Sequence, residues 1–308
     1  MANAQSDFAP EIRNSAWWSG DSRKAANGRG NEAVLEKLGL KERPDLSGIE
    51  AVQMGHVMEP VIGRLAQNKL GIELKEAPYA LTHPKEGWLR SHFDFISADG
   101  QTLVEAKNYN AQVRNKFDAE AGIIPAADMA QLIHEAACHN VQKIVLAVLF
   151  GGQNFETFEF TIAEAQKEEL IKDMAKFWAA VATKTPLEAE TTEQTKLIYA
   201  QDKGTSIVAI QPIEKAAEAL RFVKDEIKRL EEKEEHLLTA IQAHMQWSSE
   251  LVSFDGKVLA TWKNTKGSKK FDAKLFQAQH PDIYEKFVVR SEEHTSELQS
   301  HHDLVCRL

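Results

Sequence analysis

The stretch that most restricts the possible folds is KIVLAVLF, residues 143–150, in which one lysine precedes an unbroken apolar run. Successive side chains of a strand point to opposite faces, so such a run needs cover on both faces of its sheet. Residues 125–139, PAADMAQLIHEAACH, precede it with helical spacing, and residues 154–161, NFETFEFT, alternate after it like a strand with one wet face. These patterns predict a central buried strand flanked by helices.

Upstream signals extend this plan. Residues 48–71 have apolar side chains at helical spacing up to Gly71, and Pro60 among them predicts a helix start or a kink. Asp99-Gly100 is a typical hairpin turn between the last two of three strand-like segments. These segments are residues 72–75, 88–96 and 103–107. The order helix, three strands, helix, two strands predicts an α/β core with a mixed central sheet flanked by helices, over residues 1–165.

Residues 166–250 are predicted to form a helical extension. From Gln211 to Met245, apolar residues recur in alternating steps of three and four that Glu234 interrupts. The apolar positions are 220, 223, 227, 230, 237 and 241. This coiled-coil-like pattern is long enough for a helical hairpin or for an oligomer contact.

Two shorter segments complete the chain. Residues 251–289 are predicted to form a lysine-rich tail, with a hairpin in VSFDGKVLATWKN and a helix after it. Residues 290–308 resemble a translated sequencing-adaptor read-through, so we expect them to be a non-native tail and the native C-terminus to be missing.

Composition excludes several classes of protein. The only cysteines, Cys138 and Cys306, exclude a disulfide framework, a four-thiolate zinc site and a cysteine-held iron–sulfur cluster. The N-terminus lacks a signal peptide and the longest apolar run is too short to span a bilayer, so we expect a soluble, cytoplasmic protein with no membrane partner. The net charge of −9 argues against a uniformly basic surface but permits a basic groove.

Charged side chains occupy the predicted hairpin where a half-buried strand would favour apolar ones. Glu105 and Lys107 are two residues apart, so they project from one face of their strand while Val104 and Ala106 project from the other. The turn brings Asp94 back beside this strand. Two neighbouring carboxylates repel each other unless a cation lies between them, which predicts a divalent metal.

Oxygen ligands suit Mg²⁺ or Mn²⁺, and such an ion beside a lysine would support phosphodiester hydrolysis. The alternative is a surface hairpin with a polar cross-strand edge. Spacing alone does not decide, because Glu-x-Lys also begins at residues 73, 226 and 231, and Asp272-Ala-Lys274 is a variant. The copies at 226 and 231 fall on a predicted helix, where residues two apart face different directions.

Taken together, these segments resemble the lambda-exonuclease/YqaJ-like phage recombination nucleases of the PD-(D/E)xK superfamily. The resemblance covers most of residues 10–287 and implies a restriction-endonuclease-like core. It is carried by the helix 54–74, the Trp88-containing run that ends at Asp94, VEAK at 104–107, the Gln131 helix with the buried strand after it, and the tail 256–287. Phe93 stands where the family often has a proline before the first aspartate.

This resemblance implies a Mg²⁺- or Mn²⁺-dependent exonuclease that degrades one strand of linear double-stranded DNA from its 5′ end. The remaining 3′ overhang would serve a phage single-strand annealing protein in recombination. By motif position, Asp94 and Glu105 would ligate the metal with help from the Ala106 carbonyl, and Lys107 would act on the attacking water.

The resemblance implies two further site residues on helices. Glu59 would be an additional acid at the metal, and Gln131 would contact the site. The alternatives are a solvated residue facing away for Glu59 and the outer face of its helix for Gln131.

Members of the family also hold the 5′ phosphate with an N-terminal arginine and a serine or threonine. The candidates for contact with DNA phosphates are Arg13, Ser22, Arg23, Lys263, Lys269 and Lys270. Solvated surface side chains are the alternative for the basic residues. Trp17 and Trp18 would either stack on the end of the duplex or anchor the N-terminus to the core.

Two other functions stay open from the sequence. A structure-specific or restriction-like DNA endonuclease of the same superfamily shares the metal chemistry, and a non-catalytic DNA-binding or assembly protein would use only the long helix and the lysines. The resemblance further implies DNA ends as the partner, a homo-oligomer in the form of a trimeric ring, and a phage or prophage gene expressed in a bacterial host.

Overall fold

A computed structural model describes residues 10–77, 80–263 and 271–287. The chain divides into two compact units, Met1–Tyr199 and Ala200–Leu308. The strands of the first unit are β1 (Trp17–Trp18), β2 (Leu74–Glu76), β3 (Leu81–Thr82), β4 (Leu89–Ser91), β5 (Phe95–Ser97), β6 (Thr102–Tyr109), β7 (Lys143–Phe150) and β8 (Asn154–Thr161). Its α-helices are α1 (Pro10–Asn14), α2 (Ser19–Lys24), α3 (Gly30–Lys37), α4 (Glu50–Leu70), α5 (Ala126–His139), α6 (Glu164–Ala182) and α7 (Thr192–Ile198).

A five-stranded mixed sheet forms the centre of the first unit. Its strand order is β2-β5-β6-β7-β8, with β6 and β7 parallel and the other neighbours antiparallel. The register places Glu105 beside Leu146 and Lys107 beside Val148. The predicted mixed sheet flanked by helices is therefore confirmed.

Strand β7 is covered on both faces, as its unbroken apolar sequence requires. One set of its alternate side chains packs with Leu132 of α5, and the other set packs with Ile62 and Ala66 of α4. Full burial of a leucine, isoleucine or valine contributes roughly 1.5–3 kcal/mol each, so β7 fixes both helices firmly to the sheet. Helix α4 ends at Gly71, whose φ of 67° lies in the left-handed region that glycine adopts without strain.

The predicted strand at 88–96 is wrong in one respect: it is two strands in two different sheets. β4 lies in a small sheet of order β1-β4-β3, whereas β5 pairs with β2 and β6 in the central sheet. The break occurs because β4 pairs with Trp17–Trp18, a contact between distant parts of the chain that local pattern does not reveal. Residues 92–94 form the crossing between the sheets.

Two helix predictions are also corrected. Helix α4 begins at Glu50, so Pro60 lies inside the helix and does not start it. In the second unit, α8 (Gln211–Met245) is one continuous helix, so the alternative of a helical hairpin in this segment is wrong.

The first unit extends past residue 165, because α6 packs its Phe177 ring 5.5 Å from the Trp17 ring.

The second unit contains α8 and a short hairpin, β9 (Glu250–Val252) and β10 (Val258–Thr261), followed by α9 (Ala273–Gln279) and α10 (Pro281–Phe287). The two strands are antiparallel, as predicted for this stretch. Lys269, Lys270 and residues 290–308 lie outside the described residues. None of the helices in the described ranges is long and apolar enough to cross a bilayer.

Candidate active site

The strand β6 carries the centre of the candidate site. The Lys107 ammonium nitrogen lies 2.5 Å from Glu105 Oε1, on the same face of the strand. Asp94, in the crossing between the two sheets, accepts a hydrogen bond at its Oδ2 from the backbone N–H of Ala106 at 2.8 Å. The backbone of β6 thus holds Asp94 beside the residue that separates Glu105 from Lys107.

The electrostatics of this group reflect buried acids around one lysine. Burial, reinforced by the charge of Glu105, raises the pKa of Asp94 well above its usual range. Burial works against the charge of Lys107, yet the carboxylates of Glu105 and Asp94 hold the pKa of its ammonium above the ordinary value. Lys107 is therefore a fixed cation between acids that repel one another.

Helix α5 contributes two polar residues, Gln131 and Glu135, to the surroundings of Glu105. Gln131 donates from its amide nitrogen to Glu105 Oε1 at 2.6 Å and to Glu135 Oε1 at 2.9 Å. Gln131 is buried and bonds Glu105 of β6, so its alternative placement on the solvated outer face of α5 is wrong.

Glu135 is a residue that the sequence interpretation missed. It is fully buried, and its Oε2 has no hydrogen-bond partner among the described residues. Burial and the charge of Glu105 raise its pKa. The available signal was the spacing of Asp128, Gln131 and Glu135, three polar residues that share one face of a mostly apolar helix.

Glu59 approaches the same acids from α4. Its side chain is 40% exposed, and its Oε2 lies 3.9 Å from His56 Nδ1 on the same helix. Burial and the charge of Glu105 raise the pKa of the Glu59 carboxyl.

The donor set suits a hard divalent cation, although the described residues contain no cluster of three or more His, Cys, Asp or Glu side chains placed to hold a metal ion. Carboxylate oxygens are the donors that Mg²⁺ and Mn²⁺ prefer. Burial first, and the charge of Glu105 second, raise the pKa values of Asp94, Glu59 and Glu135, so a bound cation would stabilise their ionised forms. The buried Oε2 of Glu135, which has no hydrogen-bond partner among the described residues, is a further oxygen donor of the kind that such a cation prefers.

Arg23 lies at the end of β6, where a second polar cluster forms. Its guanidinium donates to Asp128 Oδ1 at 3.0 Å through Nε and to the Tyr109 hydroxyl at 2.9 Å through Nη2. The Tyr109 hydroxyl in turn donates to Asp128 Oδ1 at 2.7 Å. The Arg23 side chain remains 38% exposed, so it is both anchored and accessible.

Ser22 is not available to a phosphate, which contradicts its prediction as a DNA contact. The residue is completely buried, and its hydroxyl is bonded to His134 Nδ1 at 2.8 Å and to the Trp17 indole N–H at 3.2 Å. The packing of α2 against α5, which sequence alone does not show, turns this side chain inward.

Two other predicted DNA contacts, Arg13 and Lys263, have local contacts of their own. The Arg13 guanidinium stacks over the Trp18 ring at 4.8 Å. Trp17 and Trp18 are both buried, so they anchor the N-terminal segment to the core. Lys263, in the second unit, forms an exposed ion pair with Glu250 at 2.8 Å.

A groove opens beside the end of β6 in the first unit. Met54 and Met58 of α4 line one side, and Asn108 and Tyr109 line the other. The groove therefore joins Tyr109, which bonds Arg23, to the helix that carries Glu59.

The region that carries Glu59, Asp94, Glu105, Lys107 and Gln131 matches a known domain family. Residues 26–142 match the YqaJ-like viral recombinase domain. Comparison with curated proteins gave no match.

Solved structures similar to this chain include three of exonucleases. The alkaline exonuclease LHK-Exo from Laribacter hongkongensis is 17% identical with a TM-score of 0.47, over 56% of this chain and 91% of that one. The same enzyme in complex with dAMP is 16% identical with a TM-score of 0.47, over 61% and 95%. A phage-related exonuclease from Haemophilus somnus 129PT is 14% identical with a TM-score of 0.41, over 52% and 83%.

The family match spans α3, α4, the hairpin that carries Asp94, Glu105 and Lys107, and all of α5. The resemblance inferred from the sequence is thereby confirmed. Residues 26–142 of this chain are thus similar to the YqaJ-like viral recombinase domain.

Proposed function

We propose that the protein is a Mg²⁺- or Mn²⁺-dependent exonuclease that degrades linear double-stranded DNA from its 5′ ends. The 3′ overhangs would be the substrate of a phage single-strand annealing protein. In this proposal the central sheet is a restriction-endonuclease-like core, and DNA ends are the natural partner. A trimeric ring, as the resemblance implies, would keep the enzyme on its substrate.

One observation carries the proposal: Asp94 is tied to the Ala106 N–H at 2.8 Å, between Glu105 and Lys107, which are in contact at 2.5 Å. Two acids beside a fixed cation can hold a divalent metal and a phosphate together, which phosphodiester hydrolysis requires. A polar edge on a surface hairpin would not bury Glu105, whose residue exposure is 4%.

The chain's own residues have separable tasks. Asp94, Glu105, the Ala106 carbonyl and Glu59 would hold the divalent cation, which when bound polarises a phosphoryl oxygen and makes water more acidic. Lys107 offsets negative charge on the phosphate and orients water near the scissile bond. Gln131 fixes the rotamer of Glu105 by donating to its Oε1.

Arg23 supports the choice of DNA ends. Hydrogen bonds to Asp128 and Tyr109 fix the orientation of its guanidinium, while the side chain stays partly exposed. A guanidinium that is fixed and accessible is suited to binding a terminal phosphate.

The test is an end-labelled duplex assay with Mg²⁺, with and without EDTA. Linear duplex should lose its 5′ label first, covalently closed circles should survive, and EDTA should stop the reaction. Nicking of closed circles would instead favour an endonuclease of the same superfamily. Binding without cleavage under every metal condition would favour a non-catalytic DNA-binding protein.

Site variants make the test specific. Lys107→Met should lower the cleavage rate at least about a thousandfold, since it removes the charge that faces the phosphate. The matched control is Lys75→Met, because Lys75 follows Glu73 with the same spacing but is exposed on β2. Equal loss in both variants would contradict the assignment.

A further inference from the structure

An exposed apolar stripe runs along α8, the long helix of the second unit. It consists of large aliphatic side chains between 37% and 63% exposed. We name it the α8 stripe, and its members are Ile213, Leu220, Val223, Ile227, Leu230, Leu237 and Ile241. Their spacing alternates between four and three residues, with Ala216 and Glu234 filling the two remaining places of the repeat.

We propose that the α8 stripe is the contact surface for a second copy of this chain, and that the two α8 helices pair antiparallel in a coiled coil. A stripe of this width with a seven-residue repeat matches a partner helix better than a flat surface. Acidic residues outnumber basic ones on α8, so nucleic acid is a poor occupant.

The charges that flank the stripe disfavour a parallel pair. In a parallel pair, each residue of the stripe lies opposite the same residue of the second copy. The positions that flank the stripe then bring Glu226 of one copy next to Glu231 of the other, and this like-charge contact occurs twice. In the same alignment Glu234 would face Glu234 of the second copy inside the apolar seam, where an unpaired charge is costly. The sequence of α8 therefore opposes its own parallel pairing.

An antiparallel pair removes these conflicts in one particular register. With Ile227 opposite Leu230 of the second copy, Glu226 faces Lys233 of the second copy, and Lys224 faces Glu231 of the second copy. Each of these attractive contacts occurs twice by symmetry. Glu234 then lies opposite Val223 of the second copy and next to its Lys224, a cation able to pair with it.

Neighbouring antiparallel registers lose this complementarity. A shift of the helices by one heptad in one direction places Lys233 opposite Lys233 and Glu231 opposite Glu231. The shift in the other direction places Glu226 opposite Glu226 and Lys224 opposite Lys224. The charged residues that flank the α8 stripe thus favour one antiparallel register. In this register most aliphatic side chains of the stripe also lie opposite an aliphatic side chain of the second copy.

The test uses the full chain and measures its mass across a concentration series by sedimentation equilibrium or light scattering. The wild-type chain should contain an even number of copies, which for the proposed trimeric ring means six, because each α8 pairs with one other α8. Glu226→Lys and Lys233→Glu should each raise the dissociation constant of the pairing at least about tenfold, because each turns two attractive contacts into repulsive ones. The double variant, which exchanges the two charges, should restore the wild-type value.

A parallel pair gives the opposite result for one variant. There Glu226→Lys would face Glu231 of the second copy and tighten the association, which would overturn the proposal. A wild-type chain that stays monomeric at about 100 μM, or a double variant that fails to recover, would overturn it as well.

A gain-of-affinity variant guards against misfolding. Glu234→Leu removes the one carboxylate from the seven-residue repeat of the α8 stripe, so association should tighten at least about tenfold if the stripe is the contact. An unchanged dissociation constant would show that the stripe is not the contact. Far-UV circular dichroism of each variant checks that α8 remains helical.

Discussion

The amide nitrogen of Gln131 bridges two carboxylates, Glu105 Oε1 at 2.6 Å and Glu135 Oε1 at 2.9 Å. Both protons of the amide are therefore used, and its orientation is fixed because its oxygen would repel either acid. Gln131 in this way links Glu135 of its own helix, α5, to Glu105 of β6.

Removal of this bridge should destabilise the protein. Gln131→Leu leaves two buried carboxylates without their shared donor, which should lower the free energy of unfolding by about 1–3 kcal/mol. Urea denaturation measures the loss, and the cleavage rate should fall with it. Gln153→Leu, at an exposed position in the turn between β7 and β8, is the control and should change neither quantity. Equal stability of the two variants would contradict the role given to Gln131.

The close contact between α4 and β5 predicts opposite effects for two glycines of one helix. A Cβ at Gly63 would overlap the ring of Phe95, a buried residue next to Asp94, whereas a Cβ at Gly55 would meet nothing within 4 Å. Gly63→Ala should cost about 1–3 kcal/mol of stability and slow cleavage. Gly55→Ala should stabilise the helix by up to about 1 kcal/mol. Thermal unfolding of both variants checks the pair, and a neutral Gly63→Ala would contradict the packing argument.

The stability of the first unit should depend on pH through His134. Burial lowers the pKa of this imidazole from 6.5 to about 4. Between these values the folded state binds fewer protons than the unfolded state, so stability present above pH 6.5 is lost as the pH falls toward 4. The total loss is roughly 3 kcal/mol.

Denaturation at a series of pH values measures this contribution. His134→Gln should flatten the decline between pH 6.5 and 4, while His244→Gln, exposed on α8, should leave it unchanged. An undiminished slope in His134→Gln would assign the acid sensitivity to other groups.

Arg23 should act through the shape of its guanidinium. Arg23→Lys keeps the charge but loses the fork that contacts Asp128 and Tyr109, so we expect it to weaken binding to 5′-phosphorylated ends about tenfold, nearly as much as Arg23→Ala. Arg29→Ala removes an arginine whose ion pair with Glu32 is exposed and serves as the control. Titration of labelled duplexes with and without a 5′ phosphate measures the effect; full rescue by lysine would contradict it.

Divalent cations should stabilise the folded protein before any DNA is present. Mg²⁺ at tenfold excess over its dissociation constant should add roughly 1.4 kcal/mol, and EDTA should reverse the gain. Asp94→Asn keeps an oxygen that accepts the Ala106 N–H but removes a charge, so the variant should fold and lose the Mg²⁺ response. A thermal shift with Mg²⁺ that is equal in both proteins would place the cation elsewhere.

Local pattern was sufficient for the parts of the site that lie on one strand. The two-residue spacing of Glu105 and Lys107 predicted that they share a face, and they are in contact. The apolar run of β7 predicted cover on both faces, which α4 and α5 supply.

The remaining features depend on contacts between distant segments. The strand predicted at 88–96 breaks because its first half pairs with Trp17–Trp18, and this pairing leaves no local signal. Ser22 was predicted to bind a phosphate, but its hydroxyl is hydrogen-bonded to the imidazole of His134 on α5. Glu135 was overlooked because an acidic residue in a mostly apolar helix is normally expected to face solvent. Only the position of α5 in the fold shows that this side chain is buried.

The position of Asp94 in the crossing between two sheets has a consequence for how the proposed nuclease could diversify. Its carboxylate is held by β6 on one side, while the strand that leads into it is braced by the tryptophans of the N-terminal segment. Substitutions in that distant segment can therefore shift Asp94 relative to Glu105. Such a shift would change the activity of the proposed nuclease without altering any residue that touches DNA.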